Sequence, residues 1–231
     1  MKTSKQTVHL VDSMGSDLSV VNAARVSFAK ESEWVVTPVG NEESWDVVAS
    51  LSAQDQKLIN YLAKHNHWTP FAHAFASFRI KAPIFVARQL VKHQVGLAWN
   101  EVSRRYVDDE PEFYFPDVWR GKPENVKQGS DGIITDPSIT FDVKDIVEGC
   151  LNTYIALIKD GVAPEQSRMV LPQNTMTEWI WSGSLAAFAR VCKLRMDSHA
   201  QQETQEVAKM IYNQLMPIYP VAFKALLDVS E

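Results

Sequence analysis

At Pro83 the period of the sequence changes from two to about 3.6, and no other feature constrains the fold as much. Upstream, residues 74–81 read Ala-Phe-Ala-Ser-Phe-Arg-Ile-Lys, an alternation that suits a half-buried strand. Downstream, Pro83 can open a helix at its first position and Gly96 can close it, which predicts a helix over 83–95. Residues 8–28 read as a strand, a turn around Gly15 and a second element. Residues 31–50 carry few periodic signals and are expected to form a loop leading into a helix. A helix is predicted over 51–64, with Ser52 as its cap. Residues 108–145, rich in Pro, Gly and Asp, read as excursions and turns. Helices are expected over 145–159, 164–170 and 184–216, the last broken near Asp197 and Ser198. With no internal repeat or linker, the expectation is one α+β domain over residues 1–231.

Composition excludes several classes. At 45% hydrophobic and 22% charged, a disordered chain is ruled out, and no apolar run approaches the roughly 20 residues that span a bilayer. Residues 1–10 have no apolar signal-peptide core, so the expected compartment is the cytoplasm. The net charge is -5, yet between Phe78 and Tyr106 six basic residues face Glu101 alone. A cationic segment in an acidic chain suggests a local anion site rather than nucleic-acid binding; a solvated basic face is the plainer explanation.

A wheel over 83–95 puts Arg88, Gln89, Lys92 and His93 on one arc of about 140°. An amphipathic surface helix gives the same pattern. The segment that follows, Asn100-Glu-Val-Ser-Arg-Arg-Tyr106, adds weight to a ligand site. If 101–105 is extended, Glu101, Ser103 and Arg105 point one way and can hold a phosphate and a polar ring edge. Farther on, Phe188, Cys192, Arg195 and His199 form one helical stripe. A guanidinium in a core-facing stripe needs an anionic partner, either a protein carboxylate such as Glu203 or a bound ligand. His65, His67 and His73 match no standard zinc spacing, and no metal is expected. They are open to a structural or a ligand-contact role. Cys150 and Cys192 lack a nucleophile's setting, and no Gly-x-Gly-x-x-Gly or P-loop is present.

Taken together, Ala24-Arg-Val-Ser-Phe28, His67-Trp-Thr-Pro-Phe-Ala-His73, Arg88-Gln-Leu-Val-Lys-His-Gln94, Asn100–Tyr106, Arg168-Met-Val-Leu-Pro172 and Leu194-Arg-Met-Asp-Ser-His-Ala-Gln201 resemble the flavin-dependent thymidylate synthases, the ThyX family. The family pattern is Arg-His-Arg, seven residues, then Ser. Here the triplet is Lys92-His93-Gln94, and eight residues separate Gln94 from Ser103. The resemblance implies helices packed around a central β-sheet and a homotetramer with active sites between subunits. It implies reductive methylation of dUMP to dTMP, with FAD as cofactor and methylenetetrahydrofolate and NADPH as co-substrates. Under it, Arg195 is the catalytic candidate, stabilising charge on the pyrimidine. Arg88, Gln89, Lys92, Glu101, Val102, Ser103, Arg104, Arg105, Arg168 and Arg195 are the dUMP candidates. His67, Thr69, Lys92, His93, Gln94, Glu101 and Arg190 are the FAD candidates. A catalytically inactive relative and a nucleic-acid-binding module are the alternatives from other classes.

Overall fold

The computed structural model describes residues 1–41, 44–124 and 129–228. In chain order the elements are β1 (Lys2–Thr3), β2 (Thr7–Met14), α1 (Asp17–Arg25), β3 (Val35–Asn41), β4 (Ser44–Ser50), α2 (Ala53–Lys64), β5 (Phe75–Pro83) and α3 (Ile84–Leu90). They continue with β6 (Leu97–Glu101), β7 (Glu112–Phe113), β8 (Trp119–Gly121), β9 (Asp131–Ile134), α4 (Pro137–Lys159), α5 (Pro164–Ser167), β10 (Met176–Ser184), α6 (Leu185–Arg195), α7 (Gln202–Leu215) and α8 (Ala222–Asp228).

Four strands form an antiparallel sheet in the order β2-β5-β10-β6. The alternation read at 74–81 sets its faces. Ala76, Phe78, Ile80 and Ala82 are buried, and register carries the same face through Thr177, Trp179, Trp181 and Gly183. Helices pack on that side. Phe78 and Trp181 both meet Phe188 of α6 edge-on, with centroids 5.1 and 5.5 Å away, and Trp99 stacks on Trp179 at 4.2 Å. The other face is polar: Arg79 makes two hydrogen bonds to Glu178 at 2.7 and 2.8 Å, and Ser77 meets Ser182 at 2.8 Å. A smaller core of Phe113, Val147 and Leu151 seats α4. This is the expected architecture of helices around a central sheet. Among the described residues no helix is long and apolar enough to cross a membrane.

A polar knot joins α1, α2 and the segment leading into the β3–β4 hairpin. Asp55, 3% exposed, accepts from Arg25 Nε at 3.0 Å, Arg25 Nη2 at 2.5 Å, Ser32 Oγ at 2.9 Å and Ser52 Oγ at 2.7 Å. Ser52, the expected cap, also accepts from Asp55 N at 3.1 Å. Burial by itself raises the Asp55 carboxyl. The hydrogen bonds from Arg25, Ser52 and Ser32 outweigh it and hold the group below its ordinary value.

Four local expectations are corrected. Residues 31–50 hold a β-hairpin, not a loop and a helix start: the β-branched Val35, Val36, Thr37 and Val48 lie in paired strands. The helix expected over 83–95 is only Ile84–Leu90. Pro83 closes β5 instead of opening the helix, and His93 N–H turns to Leu90 O at 3.0 Å. The helix expected from Asp145 begins at Pro137, capped by Asp136, which accepts from Ser138 N at 2.9 Å. Residues 101–105 are not extended: β6 stops at Glu101, and the N–H groups of Tyr106 and Val107 both reach Ser103 O.

Candidate active-site cleft

Where α3 ends, Val91 and the turn at 92–95 lead to Gly96, whose φ of +76° is a conformation glycine adopts without strain. The turn lies hard against α6. A Cβ on Gly183, near the end of β10, would stand 2.6 Å from Gly96 O and 2.4 Å from the Leu97 side chain, so glycine at 183 lets the turn close on β10 just before α6 begins. Arg190 then donates from Nη2 to Val95 O at 2.7 Å. The result is a cleft of about 820 Å³ lined by the turn (Lys92, His93, Gln94, Val95), by α6 (Ala187, Arg190, Lys193, Leu194, Arg195) and by the loop to α7 (Asp197, His199, Ala200). A second hollow of about 470 Å³ shares Arg195, His199 and Ala200, and adds Gln89, Arg120, Ser130 and Gln201.

Arg195 therefore borders both hollows. Its Nε donates to His93 Nε2 at 2.9 Å. Arginine has no acceptor atom, so His93 must be neutral with its proton on Nδ1. Burial, then the charges of Arg195 and Arg190, push His93 down to about 4, in keeping with that assignment. Glu203, the expected protein partner of Arg195, is taken by Arg120 at 2.5 Å. Among the described residues no carboxylate forms a salt bridge with Arg195. The expected stripe also breaks here: Phe188 and Cys192 are buried, but α6 stops at Arg195, and His199 is exposed and held by Asp197. A cation with one neutral partner faces open volume, beside Lys92, Arg190 and Lys193. Such an arrangement can receive an anion.

The expected site residues fall into separate groups. Gln89, Lys92, His93, Gln94, Arg190 and Arg195 come together along the two hollows. Arg88 is exposed and lines neither, and His67 and Thr69 stand apart at the end of α2. Glu101 closes β6, accepting from Thr177 Oγ1 at 2.6 Å and Trp99 Nε1 at 3.0 Å. It lies four residues beyond the cleft-lining Leu97, about 13 Å along the strand. Val102 and Arg104 line a recess of about 150 Å³ near it. Arg105 folds back on Ser103 Oγ at 3.3 Å with its guanidinium over Tyr106, and Arg168 is exposed beside α5. Arg120, Lys193, Asp197 and Gln201 were not among the expected site residues. Asp197 and Gln201 lie inside a motif already singled out, whereas Arg120 reaches the site only through the β8–β9 pairing, which sequence periodicity did not signal.

Residues 9–221 match the family model for thymidylate synthase complementing protein. The chain belongs to the flavin-dependent thymidylate synthase family. It is similar to the flavin-dependent thymidylate synthase of Thermosipho africanus, 37% identical over 98% of this chain and 92% of that one. The Thermus thermophilus enzyme of the same name is 35% identical over 96% of this chain and 75% of its own length. Among solved structures, the UMP/dUMP methylase PolB from Streptomyces cacaoi, bound with 5-Br dUMP, superposes with a TM-score of 0.83. It is 31% identical and covers 99% of this chain and 98% of that one. Lys92 and Gln94, the triplet positions at which the sequence pattern expects arginine, both line the large cleft.

Proposed function

We propose that the chain is an enzyme making dTMP by reductive methylation of dUMP, with methylenetetrahydrofolate as carbon donor and NADPH as the source of reducing equivalents. The observation that carries this reading is Arg195: a guanidinium between two hollows, hydrogen-bonded to a neutral imidazole and, among the described residues, to no carboxylate. The relatives' names supply the reaction class, and PolB's bound 5-Br dUMP supplies the nucleotide.

The donor set of the large cleft suits FAD. Lys92, Arg190 and Lys193 offer cations for a diphosphate, and Val95, Leu97, Ala187 and Leu194 offer apolar surface for a ring. When bound, FAD supplies the hydride chemistry. Lys92 and Gln94 can hold it through a point charge and a neutral amide where the family has planar forks. Arg195 would meet the pyrimidine edge that gains negative charge, a preorganised electrostatic role. Gln89 would orient the nucleotide, and Arg105 and Arg168 would bind its phosphate. These last two stand away from Arg195 within one chain. The reading therefore includes a homotetramer in which a neighbouring subunit contributes the Ser103–Arg105 turn and Arg168 to each site. The deciding experiment is an anaerobic assay of the purified protein with dUMP, methylenetetrahydrofolate, NADPH and added FAD. dTMP is the expected product, and no dTMP with flavin bound would defeat the reading.

The C5 carbon of uracil is a poor nucleophile, and one solution is addition of a cysteine thiolate at C6. Cys192 cannot serve: it is fully buried, and burial pushes its thiol up, far from the thiolate form. Cys150 lies on α4, outside the hollows at Arg195. Cys150→Ala and Cys192→Ala, alone or together, are expected to keep turnover per folded enzyme. A covalent adduct between either thiol and 5-fluoro-dUMP, seen by mass spectrometry, would overturn this.

A further inference from the structure

The smaller hollow is floored by a run of side chains whose polarity is set from one end. Arg120 on β8 has a side chain only 19% exposed; it donates from Nη2 to Glu203 Oε1 at 2.5 Å and from Nε to Ser130 Oγ at 2.8 Å. Glu203 is 4% exposed, and as a carboxylate it can only accept. Gln201 must therefore turn its NH₂ toward Glu203, which it does: Nε2 to Oε2 is 2.9 Å. That leaves the Gln201 carbonyl to face Gln89, where it accepts from Gln89 Nε2. The Gln89 carbonyl then faces away and accepts from the hydroxyl of the fully buried Thr204 at 3.2 Å.

Nothing in this chain of bonds is reversible piecemeal. An amide turned over at Gln201 would set its carbonyl against the Glu203 carboxylate. One turned over at Gln89 would set two carbonyls together. Gln89 has two N–H donors; Gln201 occupies one, and among the described residues no acceptor meets the other, which can serve the hollow that Gln89 and Arg195 both line.

We infer that Arg120, Glu203 and Gln201 are positioning residues that fix the amide of Gln89 as a hydrogen-bond donor to an acceptor oxygen of the bound nucleotide. This rests on the reading of the hollow as the dUMP site. Arg120 and Glu203 act only through Gln201, and Gln201 only through Gln89. In a wrongly turned Gln89 a carbonyl would meet the nucleotide oxygen, so the run selects against the unproductive amide as well as for the productive one.

The coupling is read with a double-mutant cycle on the FAD-loaded protein, measuring dUMP dissociation constants by calorimetry and melting temperatures on the same preparations. Gln89→Met and Gln201→Met, each keeping volume and removing polarity, are both expected to weaken dUMP about tenfold. In the Gln89→Met background, Gln201→Met should then change binding by less than about twofold, as should Arg120→Met. Arg120→Lys, which retains charge and a donor toward Glu203, should stay within about twofold of the wild type. A purely structural role would shift melting and leave the cycle additive. Equal weakening by Gln201→Met in both backgrounds would overturn the inference, because Gln201 would then touch the nucleotide on its own account. So would unchanged binding in the single variant. Where Arg120→Met fails to fold, the Gln201→Met cycle, which removes no charge, still decides. A wild-type protein that binds FAD but no dUMP sinks the nucleotide reading itself, and this inference with it.

Discussion

Replacing Arg195 by lysine is expected to cut dTMP formation by about 10²-fold or more while dUMP still binds. The side chain leaves the end of α6 between two hollows, and among the described residues it donates only to His93, a neutral acceptor. A group poised in this way meets full charge only when the pyrimidine becomes activated. Its loss should therefore appear in turnover far more than in ground-state affinity. Lysine keeps the charge but not the planar fork, and preorganised donors of this kind are worth about 10²–10³ in rate each. Arg195→Ala should nearly abolish turnover. The fold should persist in both variants, because among the described residues no carboxylate depends on Arg195 for neutralisation: Glu203 has Arg120 and Gln201. Melting curves, flavin content and dUMP titrations on one preparation test all of this. Normal turnover in the folded fraction of Arg195→Ala would end the catalytic assignment.

The sequence carried this assignment part of the way. Phe188, Cys192 and Arg195 at helical spacing marked a cation rising from a core-facing stripe, and the structure keeps that geometry up to the end of α6. Spacing alone could not choose between Glu203 and a ligand as the partner. The choice depends on Arg120, which comes from a hairpin 83 residues away in sequence. Non-local pairing explains most of the other misses. Val35, Val36 and Val48 become strand residues because each finds a partner across the hairpin, and neither leg has a clear period by itself. The helix after Pro83 is cut short for a local reason: His93 N–H turns to Leu90 O and Leu97 N–H to Gln94 O around Gly96, a tight turn that outweighs the amphipathic pattern. That shortening matters to the site. It takes Lys92, His93 and Gln94 off the helix face and wraps them around the mouth of the cleft. The four-stranded sheet was more legible, since alternation in β5 sets the face of every strand paired to it.

Asp55→Ala should cost the fold about 3–5 kcal/mol, the size expected when one member of a buried ion pair is removed and the other is left behind. Arg25, with a side chain only 18% exposed, would keep its charge with no carboxylate to receive two of its N–H groups, and Ser32 and Ser52 would lose an acceptor. Three segments come apart together in that variant: the end of α1, the start of α2 and the leg leading into the β3–β4 hairpin. For a chain of this length the loss corresponds to a fall in melting temperature of about 10 °C. The pH dependence gives a second, independent check. The Asp55 carboxyl is held below its ordinary value in the folded state, so its contribution is complete above the unfolded value near 3.9. As pH falls from about 4 through the depressed folded value, the unfolded chain takes up the proton first and the contribution drains away. The gap in stability between wild type and Asp55→Ala should thus be constant from pH 7 to about pH 5 and close below about pH 4. Denaturant melts across that range measure it directly. A gap that widens in acid would mean that Asp55 is not the carboxylate holding α1 to α2, and a gap of less than about 1 kcal/mol at pH 7 would mean that water replaces it at no great cost.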